Sequence, residues 1–147
     1  MEQSQYRRVD DVGVTEVWDR LRSDPTSVLI DVRTRAEWAF VGIPNLAAAS
    51  KQPVLVEFQT FPDNREDPRF SERLRAALED MGASKDVELY FICRSGSRSK
   101  RAAQTMMATG YTRCHNVADG FEGPLDADHR RGRIGGWKAA GLPWSQG

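Results

Sequence analysis

The stretch VELYFICRSGSRS, residues 87–99, places an apolar run directly before a short polar loop. Residues 87–92 are mostly apolar and rich in β-forming types, which is typical of a strand buried on both faces. Residues 28–32 (VLIDV) and 114–117 (CHNV) predict two more short strands of this kind. Strands with both faces buried favour a parallel sheet with helices on each side.

Helical patterns occupy segments before and between these strands. One follows Thr15, a candidate N-cap; a second begins near Asp67 and Pro68 and ends at Gly82; a third spans residues 98–109. This alternation predicts an α/β fold with a mainly parallel central sheet of about five strands and helices on both faces.

Three segments have weaker patterns. Residues 46–48 and 54–58 could each supply a further strand, whereas residues 63–67 are charged and turn-prone and predict an exposed loop. Residues 120–136 contain five glycines and a charged run, which also predicts a loop.

Length and charge narrow the class of protein. The 147 residues are enough for one domain, which we take as residues 1–147, and 21 Lys and Arg balance 21 Asp and Glu. The balanced charge predicts neither a nucleic-acid nor a membrane partner. No apolar run approaches the about 20 residues that cross a bilayer, and the start MEQSQYRR lacks the apolar stretch of a secretory signal. We therefore expect a cytoplasmic protein.

The cysteines and histidines show no metal-ligand spacing. Cys93, Cys114, His115 and His129 are too few and too scattered for a disulfide framework or a zinc site. We therefore expect no metal and no cofactor. Cys114, within a predicted strand, is expected to be a buried thiol rather than a redox partner of Cys93.

Cys93 is the candidate nucleophile. It follows a predicted buried strand and precedes small residues that let the backbone curl, so several N–H groups and a helix N-terminus should surround its sulfur. With Arg94 and Arg98 nearby, this environment should favour the thiolate. The alternative is that Cys93 is an inert core residue, as many cytosolic cysteines are.

Four motifs in the chain resemble the single-domain rhodanese family of sulfurtransferases. They are LIDVRTRAEW at residues 29–38, the Ile43-Pro44 step, YFICRSGSRS at residues 90–99, and GFEG at 120–123 followed by WKAAGLPW at 137–144. They cover nearly the whole chain in the family's order, and the loop motif is the most specific.

This resemblance implies a two-step transfer through a Cys93 persulfide. A small sulfur-containing anion such as thiosulfate, or a protein persulfide, would donate the sulfur, and a thiophilic acceptor would remove it. Asp31 and Arg33 are expected to support the loop, Asp31 through an ion pair with Arg98 or by capping its own turn. The expected substrate-binding residues are Arg94, Ser95, Gly96, Ser97, Arg98 and Ser99.

The chain departs from the family at two places. Val41 and Gly42 stand where the family commonly has Gly-His, so no role of that histidine carries over. Residues 124–136 separate GFEG from Trp137 and resemble an insertion. This insertion either borders the Cys93 pocket, contributing Arg130, Arg131 or Arg133, or is a disordered surface loop.

Two other functions fit part of the pattern. Phosphatases that share this fold place five residues between cysteine and arginine, whereas four separate Cys93 from Arg98 here. The loop around the Cys93 sulfur is therefore narrower, and it suits a single sulfur atom better than a tetrahedral phosphate. The remaining alternative is a sulfur-relay or binding module that serves a partner protein and has no activity on thiosulfate.

Overall fold

The computed structural model describes residues 8–147. Residues 1–7 of the start MEQSQYRR, on which the expectation about a secretory signal depends, lie outside the described residues. The helices are α1 (Val14–Ser23), α2 (Arg35–Phe40), α3 (Phe70–Asp80) and α4 (Ser97–Met107). The strands are β1 (Asp10–Val12), β2 (Val28–Asp31), β3 (Ile43–Pro44), β4 (Val54–Leu55), β5 (Gln59–Thr60), β6 (Arg65–Glu66), β7 (Leu89–Ile92), β8 (Cys114–Val117) and β9 (Trp144–Ser145).

Five strands form one parallel sheet in the order β1-β8-β7-β2-β4, which confirms the predicted α/β fold. The central strands β2 and β7 are buried along their whole length. Because side chains alternate across a strand, the central strands divide the core into two layers. Ile30 and Phe91 pack with α3 and α4 on one face, and Leu29 and Tyr90 pack with α1 on the other.

The predicted helices form, with shifted ends. α1 begins after Gly13, which stands as N-cap in place of Thr15. α3 begins at Phe70 because residues 67–70 form a preceding turn, in which the N–H of Arg69 donates to the side chain of Asp67. α2 is fixed by a capping box in which Thr34 and Glu37 each accept the other's backbone N–H.

Two of the weaker expectations were wrong. Residues 46–48, one of two segments that could have supplied a further strand, instead lead into a 3₁₀ helix, Ala47–Ala49, because the side chain of Asn45 accepts the N–H of Ala47 and turns the chain. Within the segment 63–67, Arg65–Glu66 pairs antiparallel with Gln59–Thr60 as an exposed hairpin.

The carboxyl ends of the parallel strands meet at one edge of the sheet, where open α/β sheets bind their ligands. Cys93 follows β7 at this edge, and residues 120–136 form the expected long loop after β8. Within residues 8–147, no helix is both long enough and apolar enough to cross a membrane.

Candidate active site

The sulfur of Cys93 accepts hydrogen bonds from its own loop. The backbone N–H of Gly96 lies 3.2 Å from the Sγ and that of Ser99 lies 3.3 Å from it. The Oγ of Ser99 is 3.1 Å from the same sulfur. These groups converge on a side chain that is only 1% exposed. Fixed N–H dipoles around a buried sulfur stabilise negative charge on it, so the arrangement suits a thiolate or a persulfide anion.

The loop curls because of Gly96. This residue has a φ of +112°, which L side chains rarely adopt, and it directly precedes α4. The turn brings the first N–H groups of α4 back toward the end of β7. Since these N–H groups have no partner within the helix, they are free to bind the sulfur.

Asn116 on β8 holds the side chain of Ser99 in place. Its Nδ2 donates to the carboxylate of Asp11 at 2.9 Å and to the carbonyl of Gly96 at 3.1 Å. Its Oδ1 therefore accepts a hydrogen bond from the hydroxyl of Ser99, whose single proton is shared between Asn116 and the sulfur of Cys93. Asn116 is buried, and it connects the loop carbonyl, the loop hydroxyl and the edge strand β1.

The expected ion pair between Asp31 and Arg98 does not form. Arg98 instead makes two hydrogen bonds to Glu37 of α2, with Nη1 to Oε1 at 2.8 Å and Nη2 to Oε2 at 2.9 Å. Burial alone would raise the pKa of Glu37, but the hydrogen bonds and charge of Arg98 outweigh it and lower that pKa. Burial would likewise lower the pKa of Arg98, and Glu37 reverses this effect and raises it. Arg98 therefore ties the loop to α2.

Asp31 pairs with Arg33 at the end of β2. Nε of Arg33 donates to Oδ1 at 2.9 Å and Nη2 donates to Oδ2 at 2.6 Å, and both side chains are fully buried. The same Nη2 donates to the carbonyl of Gly42 at 2.7 Å, and the guanidinium lies 4.2 Å from the ring centre of Phe121. The pair thus connects β2 to the chain before β3 and to the turn after β8.

The GFEG turn is hydrogen-bonded to the backbone of the Cys93 loop. The N–H of Phe121 donates to the carbonyl of Cys93 at 2.8 Å, and that of Glu122 donates to the carbonyl of Arg94 at 2.9 Å. Gly120 has no room for a side chain, since a Cβ would lie 2.5 Å from the carbonyl oxygen of Cys93. The GFEG motif alone did not predict these contacts with the loop.

A cleft of about 840 Å³ lies beside the loop. Of residues 93–99, Arg94, Ser97 and Arg98 line it, whereas Cys93, Ser95, Gly96 and Ser99 do not. Arg94 is exposed, and within residues 8–147 it has no carboxylate partner. The other lining residues come from α2, the β5–β6 hairpin and the later loops: Thr34, Ala36, Glu37, Phe40, Val41, Gln59, Phe61, Asn64, Arg101, Glu122 and Arg131.

The long loop at residues 124–136 contributes one arginine to this cleft. Arg131 lines it and is held by a hydrogen bond from Nη1 to the carbonyl of Gly123 at 2.8 Å. Arg133 pairs instead with Asp126, and Arg130 is exposed outside the cleft lining. The loop is ordered by its own turn, in which Asp126 accepts two backbone N–H groups.

Cys114 is a buried thiol of β8, as the sequence predicted. Burial raises the pKa of its thiol to about 12, and its Sγ lies 3.1 Å from the carbonyl of Tyr111. Both cysteines are free thiols. Among the described residues, no group of three or more His, Cys, Asp or Glu side chains could hold a metal ion.

Comparisons with known proteins give the class of this domain. The crystal structure of Rv0390 from M. tuberculosis superposes with a TM-score of 0.84 at 40% identity, covering 96% of this chain and all of that one. A thiosulfate sulfurtransferase from Pseudomonas aeruginosa has the same fold, with a TM-score of 0.60 over 97% of this chain and 20% of that chain. Its 19% identity shows the fold alone. The fold is that of a rhodanese-like domain, as the sequence motifs predicted.

Sequence relatives give the family. A family model described as the STR4 middle domain matches residues 10–147, so the chain belongs to this rhodanese-like family. An uncharacterized protein, RC0915, from Rickettsia conorii is 35% identical over 92% of this chain and 97% of its own length. Rhodanese-like domain-containing protein 4 of Arabidopsis thaliana chloroplasts is 25% identical over 86% of this chain and 24% of its own length.

Proposed function

We propose that this domain is a sulfurtransferase that carries sulfane sulfur on Cys93. The observation that carries the proposal is the convergence of the Gly96 N–H, the Ser99 N–H and the Ser99 hydroxyl on one sulfur. Two N–H donors, together with a hydroxyl whose single proton is shared with Oδ1 of Asn116, offset the cost of burying an anion there. A persulfide is anionic at neutral pH, so its negative charge matches the hydrogen-bond donors around the sulfur of Cys93.

In the first step, the Cys93 thiolate attacks the outer sulfur of a donor such as thiosulfate. The sulfur–sulfur bond of thiosulfate breaks, sulfite leaves with the electron pair, and Cys93 becomes a persulfide. Arg94 is the candidate for holding the donor's oxyanion because its side chain is exposed in the cleft and its guanidinium is not engaged by a carboxylate of residues 8–147. Arg98 acts through its pair with Glu37 and holds the loop in place.

In the second step, a thiophilic acceptor attacks the outer sulfur of the persulfide. The bond between the two sulfurs breaks and the electron pair returns to Cys93, which restores the thiolate. No cofactor enters either step. The cytoplasmic location expected from the sequence belongs to the same proposal, and cell fractionation tests it.

Steady-state kinetics test the proposed activity. Thiocyanate formation from thiosulfate and cyanide should give parallel double-reciprocal lines, because the enzyme alternates between free and sulfur-loaded forms. The Cys93→Ser variant should form no thiocyanate. Loading of Cys93 from a persulfide protein but never from thiosulfate would favour the sulfur-relay alternative, and hydrolysis of an aryl phosphate without thiocyanate formation would favour a phosphatase.

A further inference from the structure

Two phenylalanines at the edge of the cleft are largely in water. Phe40, the last residue of α2, is 81% exposed, and Phe61, in the turn between β5 and β6, is 68% exposed. Both line the same cleft although they come from separate elements. A single exposed apolar residue is ordinary, but two aromatic rings flanking one concave surface are typical of a binding interface.

The charge of the cleft is positive. Four arginines and two glutamates line it, and Arg98 and Arg101 are already paired with Glu37 and Glu66. Within residues 8–147, the guanidinium groups of Arg94 and Arg131 have no carboxylate partner. Guanidinium groups without a carboxylate partner, in one cleft with two aromatic rings, suit a partner that presents both carboxylates and apolar side chains.

We propose that this cleft docks an acidic, partly apolar peptide segment of a partner protein, and that this segment carries the cysteine that exchanges sulfur with Cys93. The proposal rests on the proposed function and specifies its partner. A small oxyanion would use the arginines and leave both phenylalanine rings in water, whereas a peptide segment would cover the rings and use the arginines together. A cleft of about 840 Å³ also has room for several side chains.

The test uses two synthetic peptides of equal length, each with one central cysteine flanked by leucines. One peptide carries glutamates at its outer positions and the other carries lysines. Each cysteine is activated as a mixed disulfide with thionitrobenzoate. The Cys93 thiolate attacks the peptide sulfur, a protein–peptide disulfide forms, and thionitrobenzoate leaves with the electron pair and is measured by its colour. The Cys93→Ser variant gives the background rate.

Rates are divided by the rate of iodoacetamide alkylation of the same variant, so that changes in Cys93 reactivity cancel. The acidic peptide should react about tenfold faster than the basic peptide, and added salt should reduce this preference. The double variant Phe40→Ser and Phe61→Ser should lower the acidic peptide's rate about tenfold, since it removes apolar contact area. Arg131→Glu should abolish the preference between the peptides.

Matched controls lie outside the cleft. Met81→Ser removes another exposed apolar side chain, 54% exposed after the end of α3, and Arg113→Glu reverses a charge beside Glu88. Neither should change the ratio of the two peptide rates. Equal rates for both peptides, or equal losses in the control variants, would overturn the docking proposal.

The exchange reaction needs no persulfide, so this proposal and the proposed function can fail separately. Peptides that never react although iodoacetamide does would show that the cleft admits no peptide. A Cys93 that reacts with neither reagent would overturn the docking proposal and the proposed function together.

Discussion

Ser99 contacts the sulfur of Cys93 twice, with its backbone N–H at 3.3 Å and its hydroxyl at 3.1 Å. The backbone contact depends on the turn into α4, whereas the hydroxyl contact depends on the side chain and on Asn116, which holds it from the opposite side. The two contacts can therefore be separated by mutation.

Replacing Ser99 by alanine should slow sulfur loading of Cys93 and leave the fold intact. Because the single hydroxyl proton of Ser99 is shared between the sulfur and Oδ1 of Asn116, its loss should cost about 1 kcal/mol, which corresponds to roughly fivefold in rate. Single-turnover loading from thiosulfate, followed by mass spectrometry, measures it. Ser71→Ala, on α3, is the matched control. An unchanged loading rate in Ser99→Ala would remove the hydroxyl from the mechanism.

Substitutions of Arg94 and Arg98 should affect different quantities, namely the KM for thiosulfate and the loading of Cys93 with sulfur. Arg94→Ala should raise the KM for thiosulfate about fivefold to tenfold, since the side chain is free in the cleft, with little change in kcat. Arg98→Ala should weaken sulfur loading more than Arg35→Ala, because Arg98 joins the loop to Glu37 while Arg35 lies outside this cleft. Equal effects of Arg98→Ala and Arg35→Ala would show that the Arg98–Glu37 pair does not support the loop.

The pair between Glu37 and Arg98 should make stability depend on pH. The pKa of Glu37 is lower in the folded protein than in the unfolded chain, so its contribution is complete above the unfolded value of about 4.3 and is lost as pH falls through the folded value. Glu37→Gln should cost about 2 kcal/mol of unfolding free energy near neutral pH. Urea unfolding of the native chain and of Glu37→Gln, at neutral pH and near pH 3, should show a smaller difference in unfolding free energy at the lower pH. An equal difference at both pH values would contradict the assignment.

Gly120 should be far less tolerant of substitution than a glycine of similar conformation elsewhere. Gly120 and Gly82 both have positive φ, at +65° and +75°, but only a Cβ at Gly120 would collide with the Cys93 loop backbone. Gly120→Ala should therefore destabilise the protein by about 3 kcal/mol or more and reduce loading, while Gly82→Ala should cost about 1 kcal/mol. Thermal unfolding of both variants compares them directly, and equal costs would argue against the close approach.

The sequence predicted the strands that are buried on both faces. β2, β7 and β8 appear as short apolar runs because each lies inside the sheet, whereas β1 and β4 are short edge strands with exposed positions and no such run predicts β1. The ends of the helices shifted because backbone turns before α3 and α4 decided where the helices begin.

The site was predictable where it is local in the chain and unpredictable where it is not. Cys93 and Ser99 lie only six positions apart, so the turn around the sulfur follows from a strand, a glycine and a helix in succession. Glu37 lies 61 positions from Arg98, so no local pattern in the sequence predicted their pairing. Asn116 gave no signal, because its partners Asp11 and Gly96 come from other elements.

The most direct test of the account is the intact mass of the protein after incubation with thiosulfate. The native chain should gain the mass of one sulfur atom and lose it again when cyanide is added, and Cys93→Ser should gain nothing. Cys114→Ser should gain one sulfur as the native chain does, because burial raises the pKa of the Cys114 thiol to about 12 and its Sγ contacts the carbonyl of Tyr111, whereas the Sγ of Cys93 contacts N–H donors. No gain in the native chain with thiosulfate or a protein persulfide, or an equal gain in Cys93→Ser, would contradict the assignment of Cys93 as the sulfur carrier.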